Sequence, residues 1–213
     1  KKRPPPRTVH AKAKQVLTTS MVRITFAGDQ LAGFTSKGVA EHFRIYLPDA
    51  VTGELVLPVE GPDGYTFPED KTRPISRAYT PRRWDPVGHE LDVDILLHED
   101  GPGSAWAAEV EPGDLAVISG QPGGAYTPDD SATWYLIGGD HAALPAIGTL
   151  VEKLPPHVNT HVFVEVTQPS ETQQLTSPSR MAVNWLYPDP IDPAPGHKLS
   201  SVLSEFPLPS GNG

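Results

Sequence analysis

Residues 91–107 read Leu91-Asp92-Val93-Asp94-Ile95-Leu96-Leu97-His98-Glu99-Asp100-Gly101-Pro102-Gly103-Ser104-Ala105-Trp106-Ala107, and this stretch decides how the first half of the chain is built. Leu91, Val93, Ile95 and Leu97 alternate with Asp92, Asp94, Leu96 and His98, so one side of an extended segment is apolar and the other mostly polar. That is the period of a strand with one face in a core. A Gly-Pro-Gly turn follows His98, and Gly103 to Val110 reads as one or two turns of helix with Ser104 placed to cap its start. A strand, a turn and a helix start in this order present free backbone N–H groups to an anion. No Lys or Arg stands in the segment, so the positive charge for a bound diphosphate has to come from elsewhere. Taken alone, the motif reads first as a capped helix after a turn.

Outward from this strand the chain continues in short strands. Thr8 to Leu17, Met21 to Phe26, Glu41 to Leu47 and Leu115 to Ser119 are each closed by Gly, Pro or Asp, which predicts a small antiparallel barrel or sandwich. After Tyr126 the pattern changes. Trp134 to Ile137 is an apolar run ending in Gly138-Gly139-Asp140, a helix is predicted over Ala142 to Lys153, and Thr160 to Val166 is again a strand. Strand, helix, strand favours a parallel sheet. Met181 to Tyr187 is a third candidate strand and Leu199 to Phe206 a short helix. The predicted organisation is therefore a β-rich domain over 1–130 and an α/β domain over 131–213.

Composition narrows the function. Pro and Gly together make up 44 of 213 residues, which suits many turns and few helices. Cys is absent, which excludes disulfides, Cys-ligated metals and thiol catalysis. With no long apolar run and no basic-then-apolar leader, the expectation is a cytoplasmic protein without a membrane partner. The net charge of −9 is unevenly spread. Residues 1–28 hold seven basic residues and no acid, while 29–213 carry a net of −16, and five of the ten later basic residues fall between Lys71 and Arg83. An anion held by this protein should sit near 71–83. Nucleic acid is a poor partner for so acidic a body.

Arg77-Ala78-Tyr79-Thr80 lies in that window. On an extended segment Arg77 and Tyr79 share a side and Thr80 takes the other. Arg can clamp a phosphate, Tyr can lie against a flat ring and Thr can hydrogen-bond a ring nitrogen. On its own the tetrapeptide is a weak signal, since Arg, Tyr and Thr on a strand are more often surface cross-strand pairs. His157 and His161 lead into a strand, so their spacing of four makes no helical metal site, and no metal is expected.

Taken in order, Arg77-Ala78-Tyr79-Thr80, the strand ending at His98, Gly101 to Ala107, and Gly139-Asp140 through Ala143-Leu144-Pro145-Ala146-Ile147 resemble the siderophore-interacting protein family of ferric-siderophore reductases. Pro6-Arg7-Thr8-Val9 and Met21 to Ile24 extend the likeness to nearly the whole chain. The resemblance implies a ferredoxin-reductase-like architecture. In it an antiparallel Greek-key flavin-binding β-barrel precedes a parallel-sheet nucleotide-binding α/β domain, with FAD held noncovalently between them. By the same resemblance Arg77 pairs with the FAD phosphates, Tyr79 packs by the isoalloxazine and ribityl chain, and Thr80 reaches the ring edge, with Ala78 between them. Asp94 and His98 border the flavin, and Gly101, Gly103, Ser104, Ala105 and Trp106 take the diphosphate. Lys71, Arg82 and Arg83 are the candidates for steering an anionic ferric siderophore.

The family usually reads Gly-Asp-Glu-Thr where this chain has Gly139-Asp140-His141-Ala142. A hydroxyl is thus missing where the nicotinamide or the flavin edge would be contacted; His141 either replaces that hydrogen bond or simply starts the helix. The family's later C-terminal motifs are not found, so the α/β domain is expected to lack its C-terminal end. The implied function is FAD-dependent reduction of a ferric siderophore, releasing Fe(II), with NAD(P)H or reduced ferredoxin as electron donor and the protein a monomer. No catalytic side chain is needed, since the chemistry is the flavin's. The alternatives are a general flavin or ferredoxin-type reductase and a non-catalytic flavin- or siderophore-binding protein.

Overall fold

A computed structural model describes residues 4–36, 39–62, 64–98, 101–191 and 194–213. Lys1, Lys2 and Arg3 of the basic N-terminal segment, and Glu99 and Asp100 of the turn after His98, lie outside the described residues. The chain divides into two compact units, Lys1–Ala125 and Tyr126–Gly213.

The first unit is a curled antiparallel sheet, a half-barrel. Its strands are β1 (Arg7–Thr18), β2 (Met21–Ala27), β3 (Phe43–Tyr46), β6 (Ser76–Tyr79), β7 (Arg83–Asp85), β8 (Glu90–Leu96) and β9 (Leu115–Ile118), in the spatial order β6-β3-β9-β1-β2-β8-β7. A separate hairpin, β4 (Val59–Gly61) with β5 (Gly64–Thr66), was not legible as strands because its residues are largely exposed. The alternation read from β8 holds: Leu91, Val93 and Ile95 are at most 1% exposed and pack with Ile24, Phe26, Phe43, Ile45 and Ile118.

The opposite side of β8 is also buried, which alternation alone does not foretell. Asp94 sits across from Arg23, and Asp92 lies between Thr25 and Arg83. Arg23 donates from Nε and Nη2 to the two Asp94 oxygens at 2.6 and 2.8 Å. Thr25 and Arg83 donate to Asp92 at 2.7 and 2.8 Å. Two carboxylates can be buried here because every one is met by charge-assisted hydrogen bonds from neighbouring strands.

Helix α1 (Pro102–Glu109) follows β8. Pro102 at its first position supplies a preset φ and removes an N–H that the helix could not use. Ser104 does not cap the helix: Gly101 is the N-cap residue and no side chain among the described residues caps it. The Ser104 hydroxyl instead accepts the His98 N–H at 2.6 Å, tying the helix back to the end of the strand. Trp106 stacks on Phe26 with ring centroids 6.2 Å apart, anchoring α1 to the core.

In the second unit β10 (Trp134–Asp140), β11 (Asn159–Glu165) and β12 (Arg180–Leu186) form a parallel sheet in sequence order. Central β11 is buried along most of its length, with Val162, Phe163 and Val164 in a row where the strand is covered on both faces. Helix α2 (Leu144–Val151) starts two residues later than the predicted helix, because a single 3-10 turn over His141–Ala143 precedes it. Helix α3 (His197–Glu205) packs on the other face of β10. Gly138 and Gly139 make this possible. A methyl on Gly138 would come within 2.7 Å of Leu203, and one on Gly139 within 2.7 Å of Ala143, so both helices approach β10 through the space of an absent side chain. Glu165, at the end of β11, is 5% exposed and accepts the Gly196 and Leu199 N–H groups at 2.7 and 2.8 Å, holding the start of α3. Among the described residues no helix is long and apolar enough to cross a membrane.

Candidate functional site

The two sequence motifs of the first unit meet in space. Strand β6 pairs antiparallel with β3, with Phe43 opposite Tyr79 and Ile45 opposite Arg77. Phe43 and Ile45 face the core, so Arg77 and Tyr79 project from that same side at the free edge of the sheet, where they reach α1. A methyl placed on Gly103 would overlap the Tyr79 hydroxyl and lie 3.3 Å from Arg77 Cγ. Gly103 is thus the floor on which Tyr79 and Arg77 rest. Gly101 plays the same part for His98, whose ring fills the space a methyl would need.

The electrostatics of this corner suit an anion. Among the described residues the first turn of α1 carries no acidic residue and no side-chain cap, and the amides of Gly103 and Ser104 stand at the positive end of the helix. Arg77 is exposed, donates only to the neighbouring Ser76 carbonyl at 3.1 Å, and meets no carboxylate among the described residues. Burial pushes the Tyr79 phenol above its usual value, partly offset by Arg77, so it stays protonated and presents a neutral ring. Thr80 is half-buried and Ala78 exposed on the far side of the strand. An uncapped helix start, a floor kept open by glycine and an arginine without a carboxylate together fit the diphosphate and flat ring of FAD.

Other expected site residues are placed differently. The Asp94 side chain holds the sheet, both its oxygens accepting from Arg23. Ala105 is exposed, and Trp106 is spent on Phe26. The three cations nominated for steering are paired: Lys71 with Glu54 at 2.8 Å, Arg83 with Asp92 at 2.8 Å and Arg82 with Asp94 at 3.9 Å. Their partners are distant in sequence or lie on another strand, so an acid-free window of sequence was a poor guide to free charge.

In the second unit Asp140 accepts the Ala143 N–H at 3.0 Å and closes the 3-10 turn. His141 does not stand out from the loop in place of the missing hydroxyl. It is 6% exposed, neither ring nitrogen has a hydrogen-bond partner among the described residues, and Nε2 lies 3.6 Å from the fully buried Glu171 carboxylate. Burial pulls its pKa down, opposed by Glu171 and Asp140. Glu171 is thirty residues further along the chain, and nothing in its local sequence marks it as the partner. Ala142 is exposed. Among the described residues no three His, Asp or Glu side chains gather as a metal site.

A curled antiparallel sheet followed by a parallel α/β unit is a fold of the ferredoxin-reductase type. The cytochrome b5 reductase domain of Ulva prolifera nitrate reductase shares this fold (TM-score 0.62, 12% identity, 91% of this chain and 77% of that one). Residues 10–126 match the siderophore-interacting FAD-binding domain and 132–213 the siderophore-interacting protein family, and the chain belongs to that family. It is 32% identical over 207 residues to the ferric vibriobactin reductase ViuB of Vibrio cholerae, covering 97% of this chain and 74% of that protein. The NADPH-dependent ferric-chelate reductase of Escherichia coli is 31% identical over 176 residues, 81% of this chain and 68% of that protein. A siderophore utilization protein from T. fusca superposes with a TM-score of 0.85 at 33% identity, covering 97% and 78% of the two chains.

Proposed function

We propose that this protein is an FAD-dependent oxidoreductase that reduces a ferric siderophore and releases Fe(II). The observation that carries this reading is the seating of Tyr79 and Arg77 on Gly103 at the uncapped start of α1, inside a unit that matches an FAD-binding family. Arg77 and the Gly103 and Ser104 amides would hold the diphosphate, Tyr79 the ring system, and Thr80 the ring edge. When bound, FAD supplies the chemistry of accepting a hydride as two electrons and giving them up singly. In balance, one NAD(P)H and two Fe(III) give NAD(P)+, one proton and two Fe(II). Hard oxygen donors hold Fe(II) less tightly than Fe(III), so reduction frees the metal. The side chains bind and orient, and no protein acid or base is called on.

On this reading the second unit receives NAD(P)H and the reaction takes place in the cytoplasm, where reduced donors are made. One observation favours reduced ferredoxin as the donor instead: the Gly139–Ala142 loop offers no hydroxyl, and His141 turns inward to Glu171. Purified protein should bind FAD and turn yellow. With FAD bound and oxygen excluded, a ferrous-specific chelator should report Fe(II) from a ferric siderophore on addition of NADH, NADPH or reduced ferredoxin, and the donor that works identifies itself. Chemically reduced protein that leaves Fe(III) untouched would point to a binding protein without turnover.

A further inference from the structure

Seven basic residues stand in 1–28, and the fold sends one of them to the helix of the cofactor corner. Strand β1 pairs with β2 in the order Ala11 to Phe26, Ala13 to Thr25 and Lys14 to Ile24, so Lys12 is an extra residue, a β-bulge. Phe26 and Ile24 are buried in the core, and side chains directly across a ladder share a face. The bulge therefore turns Lys14 to the core side, where Ala13 would stand in an unbroken strand, and leaves Ala13 exposed. From there the Lys14 ammonium donates to the Ala108 and Val110 carbonyls at 2.6 and 3.2 Å. These carbonyls lie at the C-terminal end of α1. Other cations of the segment are used elsewhere: Arg7 Nε donates to the Gly120 carbonyl at 2.7 Å, and Arg23 holds Asp94.

A cation belongs at that end of α1. The carbonyls of a last turn have no intrahelical partner and carry the negative end of the helix dipole. The last turn of α1 supplies no basic residue of its own and includes Glu109, whose charge opposes the dipole there. Lys14 meets no carboxylate among the described residues, so its charge is directed to these carbonyls. With only eight residues, little more than two turns, a helix fixed at one end is fixed at the other. We infer that Lys14 is a positioning residue for the cofactor: by tying the C-terminal end of α1 to β1 it keeps the Gly103 and Ser104 amides where the FAD diphosphate is to be held. The inference rests on the proposed function and adds to it a residue at the far end of the helix. Without Lys14 the helix is free to fray or shift, the fraction of protein with a competent cradle falls, and the apparent Kd rises by the inverse of that fraction. Sequence reasoning missed this residue because simple alternation sends Ala13 inward, and the bulge that exchanges the two shows only in the register.

The test compares the whole wild-type protein with Lys14→Met, which keeps the apolar stem, and Lys14→Arg, which keeps the charge. FAD affinity, read by flavin fluorescence, should fall about 5-fold in Lys14→Met and return to within about twofold of wild type in Lys14→Arg. Riboflavin has the ring system but no diphosphate, so its affinity should change by less than about twofold in either variant. The wild type alone provides a second measurement. Bound FAD should slow amide exchange at Ala108 to Val110 as well as at Gly103 and Ser104, since the two ends of the helix move together. Unchanged FAD affinity in Lys14→Met, equal losses for FAD and riboflavin, no recovery in Lys14→Arg, or slowing confined to the first turn overturns the positioning role and leaves the cofactor site standing. Wild-type protein that takes up no FAD overturns the cofactor site itself, and the positioning role with it.

Discussion

Replacing Gly103 by Ala tests the cofactor corner through one methyl group. The added Cβ would overlap the Tyr79 hydroxyl, with Arg77 Cγ at 3.3 Å and Tyr79 Cζ at 3.5 Å. Gly103 does not have a left-handed backbone, so Ala fits its conformation and should gain about 1 kcal/mol of helix propensity. Overpacking costs about 1–3 kcal/mol, and Tyr79, only half-buried, can escape it by swinging outward. The apo protein should therefore lose little thermal stability. FAD binding requires Tyr79 back in place, so the strain moves into the binding equilibrium, and Kd should rise about 5- to 150-fold. Flavin fluorescence titration measures this, with a melting curve of the apo protein as control. Tyr79→Phe in the same background removes the overlapping oxygen and leaves an ordinary 3.5 Å contact, so the double variant should bind FAD as well as Tyr79→Phe alone. Wild-type affinity in Gly103→Ala, or a double variant no better than the single, would refute the role given to this floor.

Three further outcomes follow from the buried charges. Asp94→Ala should cost about 3 kcal/mol by urea titration, because it removes the buried acceptor of two Arg23 hydrogen bonds; lost FAD binding with full stability would instead mean that Asp94 faces the cofactor. Glu165→Ala removes the acceptor of two N–H groups and should weaken the start of α3 by about 1–2 kcal/mol, read as faster hydrogen exchange at 196–200, with unchanged exchange counting against the anchor. His141 is held below its ordinary value of 6.5 chiefly by burial, so the unfolded chain takes up its proton first as pH falls. Its contribution is present above about pH 6.5 and is lost below it, at up to about 1.4 kcal/mol per pH unit. Wild type should accordingly lose stability relative to His141→Phe between pH 6.5 and 5, and parallel pH profiles would exclude this.

Much of the fold could be read from local pattern. The alternation in Leu91–Leu97 marked β8, the strand expected over Thr160 to Val166 is β11, and the turn residues marked the joints. These signals are legible because side-chain direction repeats every two residues in a strand, whichever fold contains it. The glycines at 101 and 103 and the Arg77–Thr80 segment were likewise visible as motifs.

What only the tertiary structure decided is which groups are already spoken for. Sequence showed an acid-free window at 71–83, but folding brought Glu54, Asp92 and Asp94 against Lys71, Arg83 and Arg82, and left Arg77 without a carboxylate partner among the described residues. It turned Ser104 from a cap into a tie for His98, and His141 from the loop toward Glu171. Periodicity is a property of neighbours along the chain and survives without a fold. Charge pairing and close approach depend on distances of a few ångströms between residues far apart in sequence, and those distances exist only once the sheets have formed.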